Sequence, residues 1–220
     1  MKQIQYAYPN YARSERVADG IIHILGVSGA LLGTALLLTW ASFRLGVGEV
    51  TALTIYCLTV IAGFTASACY HMTPWEHFRP VLRRIDHAAI YLKIAGTYTP
   101  LVVMIGSLSS YLILTLVWGL AAFGTVTKLF YWQLPTRSSG TLFYLAMGWI
   151  SVLIIYPLGF VMPESAIWLI IVGGLTYTSG VVFYKWESLK YSNAIWHGFV
   201  FVASGCFFAA ITIGAVSAAG

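Results

Sequence analysis

The chain has very few charged residues. Lys, Arg, Asp and Glu make up 9% of its 220 residues, whereas a soluble globular domain carries about 25%. Hydrophobic residues make up 59%, and the mean hydropathy is +0.82. This composition excludes an ordinary soluble domain and indicates an integral membrane protein. A length of 220 residues allows several spans of roughly 20 residues with short loops, so we predict one membrane domain over residues 1–220.

Cysteine is also scarce. The three cysteines, Cys57, Cys69 and Cys206, all lie inside apolar segments. An odd number without paired spacing argues against a disulfide framework and against a cysteine-type zinc motif. Candidate ligands for a metal are therefore the histidines and the acidic residues, which number five and seven in the chain.

Long apolar runs are what the chain has in abundance. Each is long enough to cross a membrane as a helix, and none shows the alternation of a membrane β-barrel. We therefore predict an all-α bundle of seven transmembrane helices. The predicted helices cover about residues 18–43, 49–71, 84–105, 110–130, 140–160, 164–184 and 193–216.

The basic residues are distributed unequally between the two sides of this topology. Ten lie on the side of the N-terminus: Lys2, Arg13, Arg16, Arg79, Arg83, Arg84, Lys128, Arg137, Lys185 and Lys190. Arg44 alone lies on the other side, and Lys93 lies within a span. Because cytoplasmic loops retain Lys and Arg, we expect a cytoplasmic N-terminus and an external C-terminus. The basic residues share no soluble surface, so no nucleic-acid partner is predicted.

Polar residues also gather at the N-terminal side of the membrane, around the stretch Ser67 to Pro100. Ser67 and His71 are four residues apart, so they share one helix face. Asp86 opens the next apolar segment. If the two segments are antiparallel neighbours, the three side chains meet at one depth. Ionisable groups inside a membrane are costly and typically functional, and we take Asp86 and Ser67 as candidate catalytic residues.

The first and last segments carry further polar residues at the same depth. Glu15, Asp19 and His23 recur every four residues and form one stripe. Glu15 and Asp19 are also typical first-turn acids, stabilised by the helix dipole and by nearby arginines. Asn193 and His197 share a face at the start of the last segment. Two histidines and a carboxylate from separate helices suit Zn²⁺, with water at an open position.

Lys93 follows Asp86 by seven residues, nearly two helical turns, and therefore points the same way about 10 Å deeper. A lysine there is costly unless it pairs or extends to the interface. One hypothesis is that Lys93 faces the bundle interior and gives positive charge to the polar pocket, pairing with Asp86 or binding a lipid acid. The other is that it extends back to the nearer interface.

Several blocks of the sequence resemble one family. These blocks are ERVADGIIHILG, SACYH, RRIDHAAIYLKIAGTYTP, YLAMGW and NAIWHGFVFVASG. Over nearly its whole length the chain resembles the hemolysin III family of bacterial membrane proteins, the prokaryotic branch of the progestin and adipoQ receptor (PAQR) superfamily. The resemblance implies a seven-helix bundle of the bacterial inner membrane, with a zinc site in the cytoplasmic leaflet. It implies that His71 is a zinc ligand and that Asp86 holds the water at the metal. Related ceramidases imply hydrolysis of a lipid amide to a fatty acid and an amine.

The chain departs from the family pattern at the metal site. Asn193 stands where the last helix usually has the first histidine of His-x-x-x-His, Phe207 replaces a further histidine, and Asp19 replaces an asparagine. An amide oxygen is a poor substitute for imidazole at zinc. Three arrangements remain open. Zinc binds through His71, His197 and Asp86; or Asp19 or His23 completes the sphere; or the site holds no metal and Lys93 supplies the positive charge.

Three functions follow from these features. The leading one is a zinc-dependent lipid amide hydrolase that acts on membrane lipids and maintains their balance, with Lys93, Asn193 and Glu15 lining its pocket. The second is a non-enzymatic sensor of lipids or membrane state with a degenerate metal site. The third, a pore-forming hemolysin, is disfavoured because no row of ionisable groups crosses the bilayer.

Overall fold

A computed structural model describes residues 11–130, 137–186 and 188–220. These residues form eight helices and no strand. The helices are α1 (Arg13–Arg44), α2 (Val47–Met72), α3 (Arg79–Ile105), α4 (Leu108–Phe130), α5 (Arg137–Trp149), α6 (Val152–Leu158), α7 (Glu164–Lys185) and α8 (Ser192–Ala218). Lys2, which was counted for the orientation, lies outside the described residues.

Within the described chain, seven helical segments are long and apolar enough to cross a membrane. Helices α5 and α6 together form one of them, over Thr141–Leu158. The prediction of an all-α bundle with seven spans is therefore confirmed. Large apolar side chains such as Leu36, Phe123 and Val182 are exposed on its outer surface, where lipid would cover them.

Two helices begin five residues earlier than hydropathy predicts. Helix α1 begins at Arg13 rather than at residue 18, and α3 begins at Arg79 rather than at residue 84. The reason is that hydropathy locates the membrane edge, whereas a helix ends where its backbone hydrogen bonds end. In α1 the Glu15 carboxylate accepts a hydrogen bond from the Ala12 amide, 2.8 Å away, which holds the first turn together. In α3 Pro80 occupies the first turn, where its missing N–H costs nothing.

The fifth span is interrupted, which the sequence pattern did not predict. The Ser151 amide donates to the Gly148 carbonyl, so Met147 loses the helical partner of its own carbonyl. The Tyr98 hydroxyl of α3 supplies the replacement, at 2.8 Å from Met147 O and 2.9 Å from Gly148 O. A buried carbonyl without a partner costs roughly 1–3 kcal/mol, so this hydroxyl stabilises the break between α5 and α6.

Helix α3 lies at the centre of the bundle. It contacts α2, α4, α5, α6 and α8, while α1 packs against both α2 and α8. Consecutive spans run in opposite directions across the bundle. Helices α1 and α8 pack side by side with their N-terminal ends together, since Tyr191 and Asn193 donate hydrogen bonds to Glu15 and Asp19. The N-terminal end of α1, the C-terminal end of α2 and the N-terminal end of α8 consequently meet on one side of the bundle.

Arg79 fixes the turn between α2 and α3. Its buried guanidinium donates to the carbonyls of Tyr70 (3.2 Å) and Thr73 (2.9 Å). It also forms a two-point contact with Glu76, at 2.8 and 2.9 Å. These hydrogen bonds from Arg79 lower the pKa of the exposed Glu76 carboxyl. Because Tyr70 precedes His71, Arg79 also holds the end of α2 that carries this histidine.

We expect Arg79→Lys to lower the melting temperature of the purified protein. Lysine keeps the charge but lacks the planar fork, so two backbone carbonyls lose a donor, at a cost of about 1–3 kcal/mol. The effect should be larger at neutral pH than in acid, since the Glu76 contact is lost as the pH falls through its lowered pKa. Arg44→Lys, at the exposed end of α1, is the control. Equal melting curves for both variants would contradict the role of Arg79.

Candidate metal centre

Three helices bring a cluster of ligand-type side chains together at this end of the bundle. Helix α1 contributes Asp19 and His23, α2 contributes His71, and α8 contributes His197. All four are buried. Each offers one ligand atom, and these four atoms lie within 4.8 Å of one another. We call these four residues the Asp/His cluster.

Asp19 is held by α8. The two oxygens of its carboxylate accept separate hydrogen bonds: Oδ1 from His197 Nδ1 at 2.6 Å, and Oδ2 from Asn193 Nδ2 at 2.8 Å. Because an ionised carboxylate only accepts, His197 carries a proton on Nδ1 and its Nε2 has a free lone pair in the neutral form. A carboxylate bonded to the second nitrogen of a ligating histidine is the usual way to orient such a ring.

His23 is the least satisfied member of the cluster. Its ring lies 4.5 Å from that of His197 and 5.4 Å from that of His71, measured between centroids. Its Nε2 is buried 3.5 Å from Asp19 Oδ2 and forms no hydrogen bond within the described part of the chain. A buried nitrogen without a partner is costly. A cation among these rings would use that nitrogen as a ligand.

Asn193 occupies the space between Asp19 and His71. Its amide nitrogen lies 3.3 Å from His71 Nδ1 as well as 2.8 Å from Asp19 Oδ2. The bond to the carboxylate fixes the orientation of the amide, because only its N–H₂ end can donate. Asn193 therefore positions Asp19 and His71, and it does so from the position where the family resemblance implies a second histidine of α8.

The predicted catalytic residues lie beside the cluster. Asp86 is buried at the start of α3, with Oδ2 3.3 Å from His87 Nδ1. It is close enough to His71 and His197 to interact with both electrostatically. Ser67 is partly buried one turn before His71 and forms no hydrogen bond within residues 11–130, 137–186 and 188–220. The structure thus groups Asp19 and His23, rather than Asp86, with the two predicted histidines.

Glu15 lies farther toward the end of the bundle. Its carboxylate accepts hydrogen bonds from the backbone amides of Tyr191 and Ala12, each at 2.8 Å. It joins the start of α1 to the turn before α8 and does not belong to the Asp/His cluster.

Lys93 faces the interior of the bundle. Its ammonium donates to Ser204 Oγ at 2.7 Å and lies 4.2 Å from the centre of the Phe64 ring. The Tyr177 hydroxyl is 2.9 Å from the same Ser204 oxygen. Among the described residues, no carboxylate pairs with Lys93, so its contacts are a hydroxyl and aromatic rings.

The Lys93 contacts form a second layer beneath the Asp/His cluster. Phe64 precedes His71 by seven residues, and Ser204 follows His197 by seven. Two helical turns correspond to about 10 Å along each helix, in the same direction as from Asp86 to Lys93. Sequence analysis predicted the depth of Lys93 but did not identify Ser204 and Tyr177 as its neighbours. Ser204 could have been found, because it follows His197 by seven residues, as Lys93 follows Asp86.

The donor set of the Asp/His cluster fits a zinc ion. Zinc in proteins is typically four-coordinate, with imidazole nitrogen, thiolate or carboxylate ligands. Three imidazoles and one carboxylate suit Zn²⁺ better than Mg²⁺ or Ca²⁺, which prefer oxygen. The Nε2 of His23 is further support, because it is buried, lies 3.5 Å from Asp19 Oδ2 and forms no hydrogen bond within the described residues.

Comparisons with known proteins agree with this architecture. A sequence profile of the family described as "Haemolysin-III related" matches residues 11–208. The chain is 32% identical to the hemolysin-3 homolog of Bacillus subtilis over 197 residues, covering 88% of this chain and 91% of the relative. It is 33% identical to hemolysin-3 of Bacillus cereus over 196 residues, covering 88% and 89%. The human monocyte to macrophage differentiation factor is 30% identical over 207 residues, covering 90% and 83%.

Proposed function

Since the chain belongs to the haemolysin-III-related family of multi-pass membrane proteins, we propose that its Asp/His cluster is a zinc centre for the hydrolysis of amide bonds in membrane lipids. One observation carries this proposal: three buried imidazoles from three helices converge, and one of them has a buried nitrogen that forms no hydrogen bond with the described residues. Burial in an apolar bundle suits a substrate that arrives from the membrane. The same proposal places the protein in the inner membrane of a bacterium, with the N-terminus in the cytoplasm.

In this proposal His23, His71 and His197 are the three ligands. Asp19 orients His197 through the 2.6 Å hydrogen bond, and Asn193 keeps Asp19 in place. This assignment leaves one coordination position open, as in catalytic rather than structural zinc sites. When bound, zinc polarises a carbonyl and makes a water molecule more acidic.

Asp86 is the proposed general base. Its carboxylate takes one proton from the attacking water while the water oxygen bonds to the carbonyl carbon of the amide. Asp86 then gives that proton to the leaving nitrogen as the carbon–nitrogen bond breaks, so the products are a fatty acid and an amine. His87 Nδ1 lies 3.3 Å from Asp86 Oδ2, beside the proposed base. The Ser67 hydroxyl is available to donate to the substrate, one turn from His71.

The test combines metal analysis with an assay of amide hydrolysis. We expect about one zinc per purified chain and release of fatty acid from a ceramide-like lipid in detergent. Asp86→Asn should retain the zinc and lose at least 100-fold in rate, since general bases contribute roughly 10²–10⁴-fold. Glu49→Gln, at an exposed acid outside the cluster, is the matched control. Equal rates for the parent and Asp86→Asn would overturn the proposed role of Asp86.

A sensor is the second candidate, and the position of Asp19 favours it. If Asp19 is itself a ligand, four protein groups close the coordination sphere and no position remains for water. The protein would then bind zinc to stabilise a conformation that responds to lipid. Stoichiometric zinc without hydrolysis of any amide lipid, together with a melting temperature that depends on zinc, would support the sensor and contradict the hydrolase.

A further inference from the structure

An open groove lies on the outer surface of the bundle, beside the first turns of α1. It has a volume of about 610 Å³ and is lined by Arg13, Ser14, Val17, Ala18, Ile21 and Tyr191. Five of these residues follow one another along α1, and Tyr191 closes the groove from the turn before α8. The groove does not include any member of the Asp/His cluster, whose α1 residues point into the bundle.

The position of Tyr191 depends on a specific contact. Its backbone adopts a left-handed conformation, with φ of 63°, which is uncommon for a residue other than glycine. The Tyr191 amide donates to Glu15 Oε1 at 2.8 Å, and this bond ties the turn to α1. The ammonium of Lys190 lies 5.3 Å from the centre of the Tyr191 ring. The wall of the groove is thereby held in place and carries a positive charge.

The end of the groove nearest the N-terminus offers donors that the described residues do not use. Arg13 and Ser14 are exposed, and neither side chain has a hydrogen-bond or ion-pair partner among the described residues. Glu15 is the nearest acid in sequence, and both of its oxygens are already occupied by backbone amides. Among the described residues, the two basic groups Arg13 and Lys190 outnumber the single carboxylate of Glu15 at this end.

The other end of the groove is apolar. Val17 is 55% exposed and Ile21 is 53% exposed, and they lie one turn apart on the same face of α1. Both belong to a helix long and apolar enough to cross the membrane. The groove therefore passes from basic, hydroxyl-bearing residues at the membrane edge to aliphatic residues within it, over two turns of one helix.

We propose that this groove binds one anionic phospholipid. Its phosphate contacts Arg13 and Ser14, within reach of the Lys190 ammonium, and one acyl chain follows Val17 and Ile21. Basic pockets at the ends of transmembrane helices bind anionic headgroups in this way. The combination of charge and apolar surface fits a phospholipid better than free phosphate, which would not use the aliphatic half. The site is separate from the Asp/His cluster and does not depend on amide hydrolysis.

The test is lipid-dependent thermal stability of the full-length protein in detergent. Dioleoyl phosphatidylglycerol should raise the melting temperature in a saturable way, and dioleoyl phosphatidylcholine should raise it less at equal concentration. Arg13→Gln should weaken phosphatidylglycerol binding about fivefold, because one basic residue near an anionic surface contributes about that factor. Arg44→Gln, at the opposite end of the same helix, is the matched control and should bind as the parent does.

Two results would overturn the proposal. One is equal phosphatidylglycerol affinity for the parent, Arg13→Gln and Arg44→Gln. The other is inorganic phosphate that raises the melting temperature as effectively as the lipid at equal concentration, which would indicate an anion site without a lipid.

Val17→Asp tests the apolar half of the groove by itself. It should weaken lipid binding while leaving the zinc content unchanged, since Val17 is exposed and outside the cluster.

Discussion

Replacing His23 by alanine is expected to remove zinc from the purified protein. His23 supplies the third imidazole of the proposed site, in a chain whose last helix has Asn193 where the resemblance leads us to expect a histidine. Removing a residue that hydrogen-bonds to a metal ligand lowers metal affinity roughly 10- to 100-fold. Removing a ligand itself should lower it at least that much. The measurement is zinc per chain after dialysis against a weak chelator.

Two variants make this result specific. His77→Ala alters an exposed histidine in the turn between α2 and α3 and should retain zinc as the parent does. Asn193→His adds an imidazole to α8 at a position whose present side chain contacts both Asp19 and His71. It should restore zinc in the His23→Ala background. Zinc in Asn193→His but none in the parent would show that His23 is not a ligand.

Gly96→Ala is expected to give the largest loss of stability among single methyl additions. A Cβ atom at Gly96 would lie 2.8 Å from the Cβ of Thr59 and would clash with its hydroxyl. Helices α2 and α3 pack closely at this point, and overpacking of a tight contact costs about 1–3 kcal/mol. The melting temperature should fall by several degrees. Zinc affinity should also fall, because His71 lies on the displaced helix α2.

Gly119→Ala is the matched control for this methyl addition. It lies on α4, and a Cβ atom there would have no neighbour within 4 Å. Alanine should be neutral or slightly stabilising at that position, since it has the higher helix propensity. Thr59→Gly removes the side chain that Gly96→Ala would strike, so the double variant should recover part of the lost stability. If Gly119→Ala lowered the melting temperature as much as Gly96→Ala does, the loss would not come from the contact with Thr59.

The fold could be predicted because its main determinants are local. Apolar runs of sufficient length specify spans, and seven are found. The break after α5 could not be predicted, because it depends on the Tyr98 hydroxyl of a distant helix. Likewise, the early start of α1 depends on a hydrogen bond between Glu15 and Ala12, which hydropathy does not register.

Sequence reasoning left three arrangements of the candidate site open, for a geometric reason. The depth of each polar residue follows from its distance to the helix end, so His71 and His197 were expected at one level. The rotation of each helix about its axis does not follow from depth. That rotation decides that Asp19 and His23, rather than Asp86, join the two histidines. It also turns Lys93 toward Ser204 on α8 rather than toward Asp86.

Lys93 also exposes the bundle to the membrane potential. A charge that crosses the whole bilayer gains or loses about 2.3 kcal/mol per 100 mV, and an ammonium near the middle of α3 lies inside that field. The hydrogen bond to Ser204 and the contact with Phe64 pass the resulting force to α8 and α2. These are the helices that carry His197 and His71. We expect a change in membrane potential to act through Lys93 on the same two helices that hold these imidazoles together.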